Sequence, residues 1–218
     1  MDLTLEKKVF LHNLKIVSSS SMILALLYIV MIFSLINRNN LSKETLIFMG
    51  EQLLSPVGIM LFVRTTLLEQ ECRVDEIVCS KPYSYWRTIL YRILIISIQL
   101  LLLLGIVFIP INFFDLDFKL MNIFLGSYVT SFYLGVMGMA FAYITKKVSV
   151  GALIPFLYYF FEMFSKGKYT KSYYLFGMLM NNYIGKIKLF SIAIIFVALL
   201  LTAIRFCAYG SILSVRKR

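Results

Sequence analysis

Histidine is almost missing from this chain: His12 is the only one, and it stands in a charged N-terminal stretch. Metalloprotease chemistry of the HExxH kind needs two histidines one helical turn apart, so it is excluded. A serine–histidine pair within a membrane is equally out of reach, and no GxSxG occurs. GxxxxGK(S/T) is absent too, so the chain has no P-loop, and anything it moves uphill is powered by another chain. Cys72, Cys79 and Cys207 have spacings that suit neither a metal site nor a disulfide framework. Acidic residues are few, 11 against 22 Lys and Arg, giving a formal net charge of +11. That balance would point to nucleic acid in a soluble chain. Here the basic residues flank apolar runs, where anionic headgroups and the positive-inside bias account for them, so no nucleic-acid partner is expected. The reading is of a non-enzyme with no catalytic residue, metal or cofactor of its own.

What is abundant is apolar. Hydrophobic residues make up 60% of the chain and its mean hydropathy is +0.84, which a soluble domain does not reach. The class is an all-α polytopic membrane protein, a single transmembrane domain over residues 1–218. The opening residues lack the apolar core and small-residue cleavage site of a signal peptide, so none is expected to be removed. Residues 1–18 are too charged to span. Leu3, Phe10, Leu14 and Val17 share a helical face opposite Lys8, His12 and Lys15, though Leu5, Val9 and Ile16 break the pattern. An interfacial amphipathic helix is predicted there.

Six spans are expected, at about Ser20–Ile36, Leu46–Val63, Thr88–Ile109, Leu120–Ile144, Val148–Phe164 and Leu189–Ile204. The second contains Glu51 and Pro56, both unusual in a span. Glu51 either sits at the outer interface or faces a translocation path. In the fourth span Ser131 and Gly135, then Gly138 and Ala142, stand four apart, a spacing that lets a neighbouring helix approach closely. Lys146-Lys147 marks a tight turn. Between the last two spans, residues 165–188 carry Lys166, Lys168, Lys171, Lys186 and Lys188 around an aromatic core. That core is too short to cross and reads as a re-entrant or interfacial pair of short helices, packed against protein. With both termini inside, 14 basic residues fall on the inner side and 8 outside. The positive-inside rule therefore favours cytoplasmic termini.

Residues 64–87 form a loop between spans two and three in which Glu69, Glu71, Asp75 and Glu76 alternate with Arg73. Lys81, Pro82, Ser84, Arg87 and then Arg92 follow. Charges at this density are too costly for hydrocarbon, at about 2.5–3.5 kcal/mol each, so the loop is aqueous. Leu67, Val74, Ile77 and Val78 recur at helical spacing and predict a short amphipathic helix. Pro82 ends it and Ser84 is placed to cap the next helix. The stretch from Glu69 to Arg73 is loosely similar to the Glu–Arg motif of intramembrane prenyl-protease-like enzymes, but their further polar motifs, histidines included, are absent.

This loop resembles the one between the second and third spans of the permease subunits of ABC-2 type ABC transporters. Glu69 and Glu71 match the family's first acidic pair, Glu76 its later glutamate, Pro82 and Ser84 its turn, and Arg92 its basic position. Arg73-Val74 stands where the family has a glycine-threonine pair. An interfacial N-terminal helix, six spans and re-entrant helices before the last complete the likeness. The resemblance implies a half-transporter: a second permease chain, identical or related, and two copies of an ABC ATP-binding subunit that carries the ATP and Mg. The segment around Glu71, Arg73, Asp75 and Glu76 would be the coupling helix. It also implies a plasma-membrane location and a hydrophobic or amphipathic export substrate, such as a peptide, a lipid-like compound or a drug. The alternative is a non-transport immunity or scaffold protein that binds a partner within the bilayer.

Overall fold

A computed structural model describes residues 3–17, 20–35, 42–68, 85–111, 120–180 and 182–215, with side chains in 10–17, 21–34, 42–68, 85–111, 120–180 and 182–205. Among the described residues every regular element is helical. In chain order these are α1 (Leu3–Val17), α2 (Ser20–Leu35), α3 (Lys43–Phe48), α4 (Pro56–Phe62), α5 (Tyr85–Ile111), α6 (Leu120–Thr145), α7 (Val148–Ser165) and α8 (Tyr183–Val215). Five helical stretches are long and apolar enough to cross a membrane, the first being Lys43–Thr66, which contains α3 and α4. There are six if Phe10–Val17 and Ser21–Ser34, set at 48°, count as one span. At 16 residues, α2 alone is about 24 Å long, short of a hydrocarbon core of roughly 30 Å.

The helix α6 lies at the centre because it can be approached from every side. It is apolar all round, and its small residues let two neighbours come to backbone contact. A side chain at Gly58 of α4 would strike the Ser131 carbonyl of α6, and a Cβ at Gly135 would lie 2.7 Å from the Gly58 carbonyl oxygen. One turn further, Cβ atoms at Gly138 and Gly151 would each lie 2.8 Å from the other residue's carbonyl oxygen, and Ala142 packs on Gly151. Ser131 and Gly135 therefore seat α4, while Gly138 and Ala142 seat α7. Lys146 and Lys147 alone join α6 to α7, with Lys146 in the left-handed region at φ 54° and Lys147 extended.

The span Lys43–Thr66 is broken. Ser42 caps its start by accepting from the Thr45 N–H at 3.2 Å. The helix then widens into a π turn at Met49–Leu53 and restarts at Pro56, which has no N–H to give to the preceding turn. Carbonyls freed by such a break must be satisfied inside the protein. Tyr159 donates to the Gln52 carbonyl (3.1 Å), Tyr28 to that of Leu53 (2.9 Å) and Ser131 to that of Leu54 (3.4 Å). Three helices thus supply one hydroxyl each to the break. Glu51 lies inside it.

The last helix starts earlier than hydropathy suggests. Its first residue is Tyr183 rather than Leu189, and Asn182 caps it by accepting from the Gly185 N–H at 2.9 Å. Lys186 and Lys188 therefore stand on α8 and not in the preceding segment. The helical pieces of that segment are two 3₁₀ turns, Lys171–Tyr173 and Gly177–Met180. Tyr174, Leu175, Phe176 and Met178 are buried within it.

Candidate functional site

Of the residues assigned to coupling, Glu69, Glu71, Arg73, Asp75, Glu76, Pro82 and Ser84 lie outside the described residues; Arg92 lies within them. The structure shows what holds the two ends of that loop. Arg92, on the second turn of α5, is 3% exposed. Its Nε donates to Asn13 Oδ1 of α1 at 2.8 Å and its Nη1 to the Thr65 carbonyl at 3.2 Å. Thr65 lies in the last turn of the helical stretch that leads toward the loop, and Tyr85 begins the helix that leaves it. One guanidinium thus joins both flanks of the loop to the N-terminal helix, a task that suits a rigid fork of donors. Phe10 adds an edge-on contact with Tyr91, centroids 6.3 Å apart. Leu3, Phe10, Leu14 and Val17 are the apolar face expected of an interfacial helix, and within the chain Phe10 and Leu14 are each left at 39% exposure. On the same helix the polar Asn13 is at 1% exposure, held by the Arg92 guanidinium.

The opposite end of the bundle holds a buried ion pair that sequence reading missed. Glu51 is fully buried, and its carboxylate contacts the Lys186 ammonium. Lys186 also donates to Thr130 Oγ1 and to the Leu175 carbonyl, each at 2.6 Å, so its three N–H groups meet three acceptors. Glu51 in turn accepts from the Met178 N–H at 3.1 Å. Thr130 back-bonds to the Gly126 carbonyl at 2.9 Å, which fixes its oxygen toward the lysine. Four pieces of chain meet here: the broken span, α6, the 3₁₀ segment and the first turn of α8. Charges unpaired at membrane depth would cost several kcal/mol each, so neither side chain is tolerable without the other.

Glu162 fastens the same segment from α7. It is fully buried, and its Oε2 accepts from Thr170 Oγ1 (3.0 Å) and the Leu175 N–H (3.4 Å). Tyr174 packs edge-on to Phe176, and Phe176 to Tyr159 with centroids 5.5 Å apart. Burial, then the nearby Glu162 and Glu51 carboxylates, hold the Tyr174 phenol above its ordinary pKa. Chemically this end is a latch. Lys186 and Glu51 neutralise each other, while the Glu162 carboxylate is held by the Thr170 hydroxyl and the Leu175 N–H. Among the described residues no three of His, Cys, Asp and Glu gather to hold a metal. The signal available in sequence was the out-of-place Glu51; its partner was hidden among the lysines of the segment. Comparison with family models, with curated proteins and with solved structures gave no match for this chain.

Proposed function

We propose that the chain is the permease subunit of an ATP-driven ABC transporter of the ABC-2 type. It would pair with a second permease chain, identical or related, and rest on two ATP-binding subunits through residues 69–84. The observation that carries this reading is the Arg92 node. A partner pushing on the loop would move Thr65, Arg92 and Asn13 together, and so three helices, rather than bend one end of one of them. Alternating charge on the loop suits a polar, reversible dock in which complementarity selects the partner. Both termini would be cytoplasmic and the membrane the plasma membrane. The Glu51–Lys186 latch would then face outward, holding the segment before the last span as a rigid cap. Only 22% of the apolar window of α7, and the same of α8, is buried within the chain, which leaves apolar surface for lipid or a second permease. The transported molecule would be hydrophobic or amphipathic, and the direction outward.

The scaffold alternative drew on the small-residue stripe of α6 as a surface for a partner. That stripe is filled by Gly58 and Gly151 of the same chain, so the argument loses its main feature. The test is purification from the native host in mild detergent, with co-purifying chains identified by mass spectrometry. A stoichiometric ATP-binding subunit is expected. Glu76→Lys should abolish that association while leaving the protein inserted; undiminished association would remove the docking reading, and a chain that purifies alone would favour the scaffold.

A further inference from the structure

Between the last two spans the chain places lysine where backbone geometry favours glycine. Lys166 follows the last residue of α7 in the left-handed region at φ 48°, with Gly167 at φ 75° and Lys171 at φ 45°. A side chain is disfavoured there because its Cβ crowds the backbone. Lys166, Lys168 and Lys171 are all exposed, and so is Lys188, whose ammonium lies over the Tyr173 ring. Beneath them the segment is firmly held. The Thr170 hydroxyl and the Leu175 N–H bond to buried Glu162, and Tyr169 stacks on Phe161 with centroids 5.8 Å apart. A Cβ at Gly185 of α8 would lie 2.6 Å from the Ser172 carbonyl oxygen. Among the described residues none of the four lysines forms an ion pair. Over this whole end, stretches outside the described residues included, those four with Arg38, Lys43 and Lys119 make seven basic residues. Four acids stand against them, Glu44, Asp115, Asp117 and Glu162, while Lys186 and Glu51 cancel. Seven less four leaves three positive charges, wherever the undescribed side chains lie.

We propose that this lysine-bearing surface, Lys166, Lys168, Lys171 and Lys188, binds the headgroups of anionic phospholipid. Its place selects that partner over a soluble polyanion. The lysines begin directly at the end of α7, a stretch of spanning length whose last turns expose Phe161 and Phe164. Tyr169 and Tyr173 are exposed between the charges. Aromatic rings at the end of a span mark headgroup depth, and lysines beside them reach lipid phosphates. A backbone already fixed from below has little freedom left to lose on binding. The surface requires no ATPase and stands apart from the transporter reading. With cytoplasmic termini it would meet the outer leaflet, where the positive-inside bias disfavours lysine and topology alone gives no reason for so many. Its chemistry is the same on either leaflet.

The test is native mass spectrometry of the full-length chain in mild detergent, titrated with phosphatidylglycerol and with phosphatidylcholine of the same acyl chains. Phosphatidylglycerol should be retained in preference. Lys166→Gln, Lys168→Gln, Lys171→Gln and Lys188→Gln combined should weaken it about fivefold or more and leave phosphatidylcholine unchanged. All four side chains are exposed, so the core is undisturbed. A second variant, Lys166→Gly with Lys171→Gly, separates charge from turn geometry. It should melt no lower than the parent, because glycine suits both positions, and still bind phosphatidylglycerol more weakly. Equal retention of the two lipids, or a glutamine variant that binds phosphatidylglycerol as the parent does, would overturn the surface. Glycine variants that melt lower and keep their lipid would make the lysines turn residues only. Inositol hexaphosphate displacing the lipid at equal concentration would assign the charge to a soluble polyanion instead.

Discussion

Lys186 and Glu51 show what a single buried pair asks of its surroundings. Removing one member leaves the other charged in a site without water, at a cost of about 3–5 kcal/mol, whereas removing both can be close to neutral. Lys186→Met should therefore destabilise the folded chain by about 3 kcal/mol or more, and Glu51→Met/Lys186→Met should recover most of that loss. The readout is thermal unfolding in detergent across the four members of a double-mutant cycle. Additive effects would mean that the two side chains act independently and that the latch is not a unit. The lysine is held by a carboxylate, a carbonyl and a hydroxyl from three different pieces of chain, so Lys186→Arg is no conservative change. A planar fork cannot reproduce three divergent bonds.

The elements owe their arrangement to where backbones touch. Gly58 has no room for a methyl group against the Ser131 carbonyl of α6, whereas a Cβ at Gly105 would meet only the end of Ile109, 3.7 Å away. Both are helical glycines, and alanine gains roughly 0.8–1.0 kcal/mol of helix propensity over glycine. Gly105→Ala should then be neutral or stabilising. Gly58→Ala should destabilise by about 1–3 kcal/mol, because neither backbone can yield without parting α4 from α6. Melting temperatures of the two variants, measured side by side, decide the matter; equal shifts would mean that the contact is not tight. The break in the second span follows the same logic. Its carbonyls are met by Tyr159, Tyr28 and Ser131, so the break is a joint between helices and not a flaw in one.

At the scale of the whole molecule the helices put the Arg92 node and the Glu51–Lys186 latch at opposite ends. Cysteines introduced at Lys15 and Lys147, in a chain whose Cys72, Cys79 and Cys207 are replaced by serine, should react with a membrane-impermeant thiol reagent only after cells are opened. Cysteines at Lys171 and Lys188 should react in intact cells. Labelling of all four from the same side would contradict the six-crossing arrangement with cytoplasmic termini. Lys188 is suited to this use because it is exposed, with its ammonium over the Tyr173 ring, 5.6 Å from the centroid.

Residue order alone read the chain as helical and apolar enough to cross a membrane six times; the structure has five such stretches, or six if the bent pair at its start is one span. Transfer into lipid is an additive property of a run of side chains, so hydropathy reads it directly. The small residues of α6 were also visible, since four-residue spacing places them on one helical face. Only tertiary structure decided which helix meets which part of that face, that Asn13 of α1 is buried against Arg92, and that Lys186 belongs with Glu51. Those outcomes depend on a buried charge or donor finding an acceptor that is distant in sequence. No local pattern records such a pairing, because its free energy exists only once the helices are packed and water is gone.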